Sequence, residues 1–159
     1  RGATILAEVV GFAMTADAGD IVAPDPAGAA RAMQAALADA GLSPSDIGYI
    51  NAHGTGTLVN DRSETRAILE VFGPDSPPVS STKSMHGHAI GATGALEAIA
   101  CVMALTEGIL PPTIGFQEPD PDCALDVVPN EARRASPGAV LSNAFAFGGL
   151  NAVIAFAKT

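Results

Sequence analysis

At 159 residues, 48% of them hydrophobic and 16% charged, the chain is long enough for one domain with an ordinary core and too apolar for intrinsic disorder. Seventeen acids against eight bases leave a net charge of −9, the opposite of the basic footprint of a nucleic-acid binder. The charge content lies below the ~25% of ordinary globular chains, which predicts a surface covered by a partner chain or by the rest of a larger fold. Residues 5–14 are β-branched and apolar and predict a strand, and residues 17–25 an acidic loop. Residues 28–40 predict a helix with Met33, Ala36, Leu37 and Ala40 on one face, stopped by Gly41. After a turn at 43–46, a short strand over 47–52 runs directly into His53-Gly54-Thr55-Gly56-Thr57.

Asp61 and Glu64 have capping-box spacing and predict a helix start there, continuing through Ile68, Leu69 and Phe72 to Gly73 and Pro74. A strand is expected over 79–81, a loop from Lys83 to His88, and a helix over about 94–106 capped by Thr93. That helix is apolar nearly all round, with Glu97 its only internal charge, and is expected to be buried. Short strands are expected over 125–128, 139–141 and 150–157. The alternation of elements predicts an α/β layered fold with helices against a sheet. The first strand has no earlier neighbour in the sequence and the 94–106 helix has no obvious cover, as in half of a larger structure. Residues 135–157 carry no charge and are long enough to span a bilayer, but Pro137, Asn143, Asn151 and the Gly148-Gly149 pair read better as two strands around a turn. No secretory signal opens the sequence, and without an initial Met the native N-terminus is expected to lie upstream. Cys101 and Cys123 read as reduced thiols of a cytosolic protein, and neither stands beside a His that would activate it.

Three segments carry candidate chemistry. In 51–57 a strand ends in His53 and a Gly-rich turn with two hydroxyls. Glycines let backbone approach a ligand, and strand ends are where α/β folds place their sites; a structural turn whose His satisfies a carbonyl is the competing reading. In 81–92, Lys83 precedes His88 by five residues and can bias its protonation. His86-Gly87-His88 lacks a third ligand for a metal, so no metal is assigned, and His86 reads as a loop neighbour without a direct role. In 142–151, Phe145 and Phe147 alternate before a Gly pair, either a hairpin with core aromatics or a turn presenting N–H groups to an oxyanion. A buried Glu97 must be paired, with Lys83 or with a backbone amide.

Together, NAHGTGT at 51–57, STKSMHGHAIGATGALE at 81–97 and SNAFAFGGLN at 142–151 resemble the C-terminal half of β-ketoacyl-acyl-carrier-protein synthases, condensing enzymes of the thiolase superfamily. The resemblance covers essentially residues 1–159, and its wording is similar to the type II fatty-acid enzymes and closest to nodulation-type synthases. It implies half of the duplicated, layered αβαβα fold and an acyltransferase of fatty-acid biosynthesis. Such an enzyme performs a decarboxylative Claisen condensation of malonyl carrier protein with an acyl thioester. His53 and His88 match the histidines that donate hydrogen bonds to the enolate, and Lys83 the lysine beside them. Thr55 and Thr57 match the positions that hold the pantetheine arm, Phe147 the gating aromatic at the oxyanion hole, and Glu97 the supporting buried glutamate. The resemblance implies no separate cofactor, since substrates ride on the phosphopantetheine arm of acyl carrier protein. It also implies a cytoplasmic homodimer of the full enzyme, completed by an N-terminal half that bears the nucleophilic cysteine; Cys101 and Cys123 do not match that cysteine. A non-catalytic chain-length-determining partner subunit is the alternative, weakened by the presence of His53, Lys83 and His88 together. An unrelated small-molecule module with Gly-rich turns is a third reading, and the degradative thiolases rank last because their His and Cys pattern in this half differs.

Overall fold

The structure, a computed structural model, describes residues 2–159. Its frame is a five-stranded mixed sheet in the order β1-β7-β6-β2-β3, built from β1 (Glu8–Ala16), β2 (Ile47–Asn51), β3 (Val79–Ser80), β6 (Ala139–Ala146) and β7 (Leu150–Ala157). Strand β2 runs parallel to both β3 and β6, whereas β7 is antiparallel to β6 and to β1. A separate two-stranded ribbon pairs β4 (Ile109–Leu110) with β5 (Arg133–Arg134).

Helices cover both faces because the central strands are apolar on both. Helices α1 (Pro26–Ala40) and α2 (Leu58–Phe72) lie on one face, where Met33, Ala36, Leu37 and Ile68 pack with Ile50, Leu141 and Val153. Helix α4 (Thr93–Glu107) lies on the other, where Cys101, Ala104 and Leu105 pack with Tyr49, Val140 and Phe156. Neighbouring residues such as Tyr49 and Ile50, or Val140 and Leu141, therefore enter opposite cores, as strand alternation requires. Gly11 permits the close seat of α1 on β1: a Cβ there would stand 2.4 Å from the Ala36 carbonyl oxygen.

Several sequence expectations shift. The 5–14 strand sits at Glu8–Ala16, and the 139–141 strand extends to Ala146 as one arm of a hairpin. Residues 125–128 form no strand, only a bridge between Val79 and Val127. The 83–88 loop contains a one-turn helix, α3 (Lys83–His86). The capping box at Asp61 does not form: α2 starts at Leu58, and Asp61 lies inside its first turn. Thr93 is the first residue of α4 rather than its cap, and Ala92 precedes it without a side-chain bond. Helix α4 is buried on one side only, with Ile99 60% and Met103 50% exposed, because no described element covers its outer face.

Candidate active site

The parallel pairing of β2, β3 and β6 decides where the site forms. Asn51 is the register partner of Ser80 on one side and of Ser142 on the other. The first two motifs therefore leave the sheet together at the carboxyl ends of adjacent strands, the usual site location in α/β folds, while β6 carries the third motif on past them to Ala146. Gly54 makes the junction tight: it has φ +39, and a Cβ would lie 2.5 Å from that of Ser81. The Ser81 hydroxyl donates to the Gly54 carbonyl at 2.6 Å.

His53 is buried. Its ring meets His88 edge to face with centroids 5.7 Å apart, and Phe145 at 5.6 Å on a tilted plane. Burial, with Lys83 and His88 adding to it, depresses its pKa to about 3, so the imidazole is neutral at neutral pH. His88 is held from its C-terminal side. Its Nδ1 accepts the Ile90 N–H at 3.2 Å and lies 3.2 Å from the Thr93 hydroxyl. An Nδ1 acceptor leaves the proton of neutral His88 on Nε2, free to be donated. Ile90 gives that N–H from a left-handed φ of 51°, an uncommon conformation for a β-branched residue.

Lys83, at the start of α3, is buried and forms a charge-assisted bond to Glu97 of α4. Burial raises the Glu97 carboxyl above its ordinary range, opposed by Lys83. The pairing expected for Glu97 is thus with the lysine. Cys101, one turn further along α4, is buried and its thiol is pushed up to about 12 by burial; the Cys123 thiol is also raised by burial. Neither has the lowered pKa of an activated nucleophile.

The hydroxyls of Thr55 and Thr57 lie 2.9 Å apart on the exposed turn. A cavity of about 740 Å³ opens beside them, lined by Thr55, Lys83 and His88 with Ile68 and Val79 deeper in. Phe145 is buried against His53, whereas Phe147, at the tip of the β6–β7 hairpin, is 79% exposed. The structure thus brings His53, His88, Lys83 and Glu97 together, places Thr55 at the cavity wall, and leaves Phe147 standing clear of the histidines. The core-aromatic reading of 142–151 holds for Phe145 and fails for Phe147.

Sequence reasoning missed Glu64. Its carboxylate is buried and accepts the N–H groups of His53 (2.9 Å) and Gly54 (2.8 Å) and the Asn143 amide (3.1 Å). Burial raises its pKa and those donors oppose the rise. The only available signal was its spacing from Asp61, which reads equally as a helix cap. Asp17 was also missed: it accepts the Asn151 amide at 2.7 Å and the Asp25 N–H at 3.0 Å, tying the acidic loop to the hairpin tip.

A family profile described as "Beta-ketoacyl synthase, C-terminal domain" matches residues 6–117. The chain belongs to the β-ketoacyl synthase family. It is 59% identical over 158 residues to Nodulation protein E of Rhizobium sp. (strain N33), covering 98% of this chain and 39% of that protein. It is 52% identical over 162 residues to 3-oxoacyl-[acyl-carrier-protein] synthase 2 of a Synechocystis strain, covering 99% of this chain and 39% of that protein. The chain therefore spans well under half the length of the curated relatives it matches. Among solved structures, "The ishigamide ketosynthase/chain length factor" superposes with a TM-score of 0.98 at 48% identity, over all of this chain and 40% of that one. A β-ketoacyl synthase from Burkholderia phymatum STM815 superposes with 0.96 at 44%, over all of this chain and 39% of that one. The fold is the ketosynthase fold that the three motifs implied.

Proposed function

We propose that this chain is the C-terminal half of a β-ketoacyl-acyl-carrier-protein synthase that condenses malonyl carrier protein, with loss of CO₂, onto an acyl thioester. The observation that carries the reading is the neutral His53, just past the end of β2, meeting the ring of an Nε2-protonated His88 in the segment that follows β3 and α3. As malonyl loses CO₂, its thioester oxygen gains the charge of an enolate. Two neutral N–H donors fixed beforehand stabilise that charge, each worth ~3–4 kcal/mol in comparable sites. Lys83 keeps the surrounding field positive, and Glu97 holds Lys83 while offsetting part of its charge.

Thr55 and Thr57 would take the pantetheine arm, and the backbone of Phe147 an oxyanion once substrate orders the hairpin tip. The acyl-accepting cysteine would come from an N-terminal half, because Cys101 and Cys123 are unactivated. A solved relative titled as a type II polyketide acyl-carrier protein in complex with its ketosynthase, 38% identical to this chain, supports a carrier protein as the partner. The match to 3-oxoacyl-[acyl-carrier-protein] synthase 2 supports fatty-acyl products.

A chain-length-factor role is the second reading, favoured by solved relatives titled as complexes of a ketosynthase with such a factor. The two are separated by joining the chain to its N-terminal half and supplying acyl and malonyl carrier proteins. A β-ketoacyl product by mass spectrometry, lost when the N-terminal cysteine is replaced, is expected. A product formed only when a second, active synthase is added would favour the partner-subunit reading.

A further inference from the structure

His86 lies outside the His–Lys–His set, yet both of its ring nitrogens are engaged. Nδ1 lies 2.8 Å from the Gly87 carbonyl oxygen and Nε2 lies 3.2 Å from the Thr82 hydroxyl. A carbonyl can only accept, so Nδ1 carries the proton and Nε2 of the neutral ring accepts from Thr82, whose hydroxyl lies farther, 3.5 Å, from its other acceptor, Asn51 Oδ1. The Thr82 oxygen in turn accepts the Asn51 amide at 3.2 Å, and Thr82 and Asn51 are both buried. A directed chain therefore runs from Asn51 to Thr82 to His86 to Gly87. Asn51 ends β2, two residues before His53, and Gly87 immediately precedes His88.

We propose that His86 is a positioning residue that fixes the segment carrying His88 against the strand carrying His53. Helix α3 is a single turn, too short to be rigid by its own ladder. Gly87 closes it at φ 76° through a bond from its N–H to the Lys83 carbonyl, a conformation that leaves the following peptide free to swing. From the far side His88 is anchored by Ile90 and Thr93; from the near side, the His86 ring is the side chain that grips the Gly87–His88 peptide. Loss of that grip lets the His88 ring rotate away from its Nδ1 acceptor geometry without disturbing substrate contacts elsewhere.

The inference rests on the condensing-enzyme reading for its kinetic test and stands apart from it in its spectroscopic one. In the complete synthase, His86→Ala should lower kcat for CO₂ release from malonyl carrier protein about tenfold, the size of one lost hydrogen bond. KM should stay within about twofold and the melting temperature should hardly move. His86→Asn places an amide N–H where Nδ1 stands and should recover most of that loss; His86→Gln, which replaces Nε2 instead, should not. Side-chain ¹⁵N spectra should show His88 as one Nε2–H tautomer in the wild type and as a mixture in His86→Ala. Unchanged kcat in His86→Ala, equal loss in His86→Ala and His86→Asn, or a His88 tautomer indifferent to His86 would each overturn the proposal. If the wild type releases no CO₂, the condensing-enzyme reading falls while the tautomer comparison still decides the role of His86.

Discussion

The imidazoles of His53 and His88 cross at an interplanar angle of 85° with their centroids 5.7 Å apart. One ring is buried and the other exposed, so the pair joins a dry, fixed imidazole to one open to solvent. In the proposed reaction both would donate to the enolate, and removing either would leave that charge half supported.

In the complete enzyme, His53→Ala and His88→Ala should each cut CO₂ release from malonyl carrier protein by roughly 10²–10³-fold, as for loss of an oxyanion donor. Acyl loading on the cysteine should suffer less, since it forms no enolate. Radiolabelled CO₂ at near wild-type rate from either variant would remove these residues from the mechanism.

The depressed pKa of His53 makes a stability statement. Below the ordinary value of 6.5 the unfolded chain takes a proton that the folded chain refuses down to about 3. Stability from this residue is therefore complete above pH 6.5 and declines as pH falls towards 3, by at most about 1.4 kcal/mol per unit. His53→Gln lacks this decline, so the stability gap between wild type and variant should narrow from pH 7 to pH 4 in urea titrations. A gap that stays flat would mean that His53 is not held neutral.

Glu64→Ala would strand the buried N–H group of His53 and the half-buried one of Gly54. At ~1–3 kcal/mol for each unsatisfied donor, a loss of roughly 2–6 kcal/mol is expected in denaturant unfolding. CO₂ release should fall further than the stability change alone explains, because the His53 backbone loses its anchor. A variant as stable as the wild type would show that water replaces the carboxylate at no cost.

Phe147→Ala keeps the backbone N–H and removes the exposed ring. Condensation should survive, while the order of acyl loading and malonyl entry blurs; competition assays with several acyl lengths would read this as altered partitioning. Identical partitioning would leave the ring without a gating part.

The alternation of strands and helices was legible because it rests on local periodicity, and so was the convergence of His53, Lys83 and His88 through their motifs. Glu64 was not legible. A carboxylate three residues after Asp61 has the same spacing whether it caps a helix or reaches back to the preceding loop, and only the parallel pairing of β2 with β6 puts Asn143 beside it. Helix α4 misled for a related reason. Its composition describes the burial it needs, whereas the exposure of Ile99 and Met103 depends on what lies against it. The alternating pattern alone did not distinguish Phe145 from Phe147, because the hairpin tip that separates them is a matter of backbone conformation; only the family resemblance singled out Phe147.

The left-handed backbone of Ile90 carries a consequence for anyone evolving this protein. A non-glycine residue there costs of order 1–3 kcal/mol, and what that expense secures is an N–H aimed at His88. A library randomised at position 90 and screened for heat resistance will drift towards glycine, which adopts the same angles freely and also leaves them freely. The same library screened for product will retain side chains that keep the turn from relaxing. The two screens should diverge at this position, and a consensus drawn from thermotolerant survivors will recommend the wrong residue.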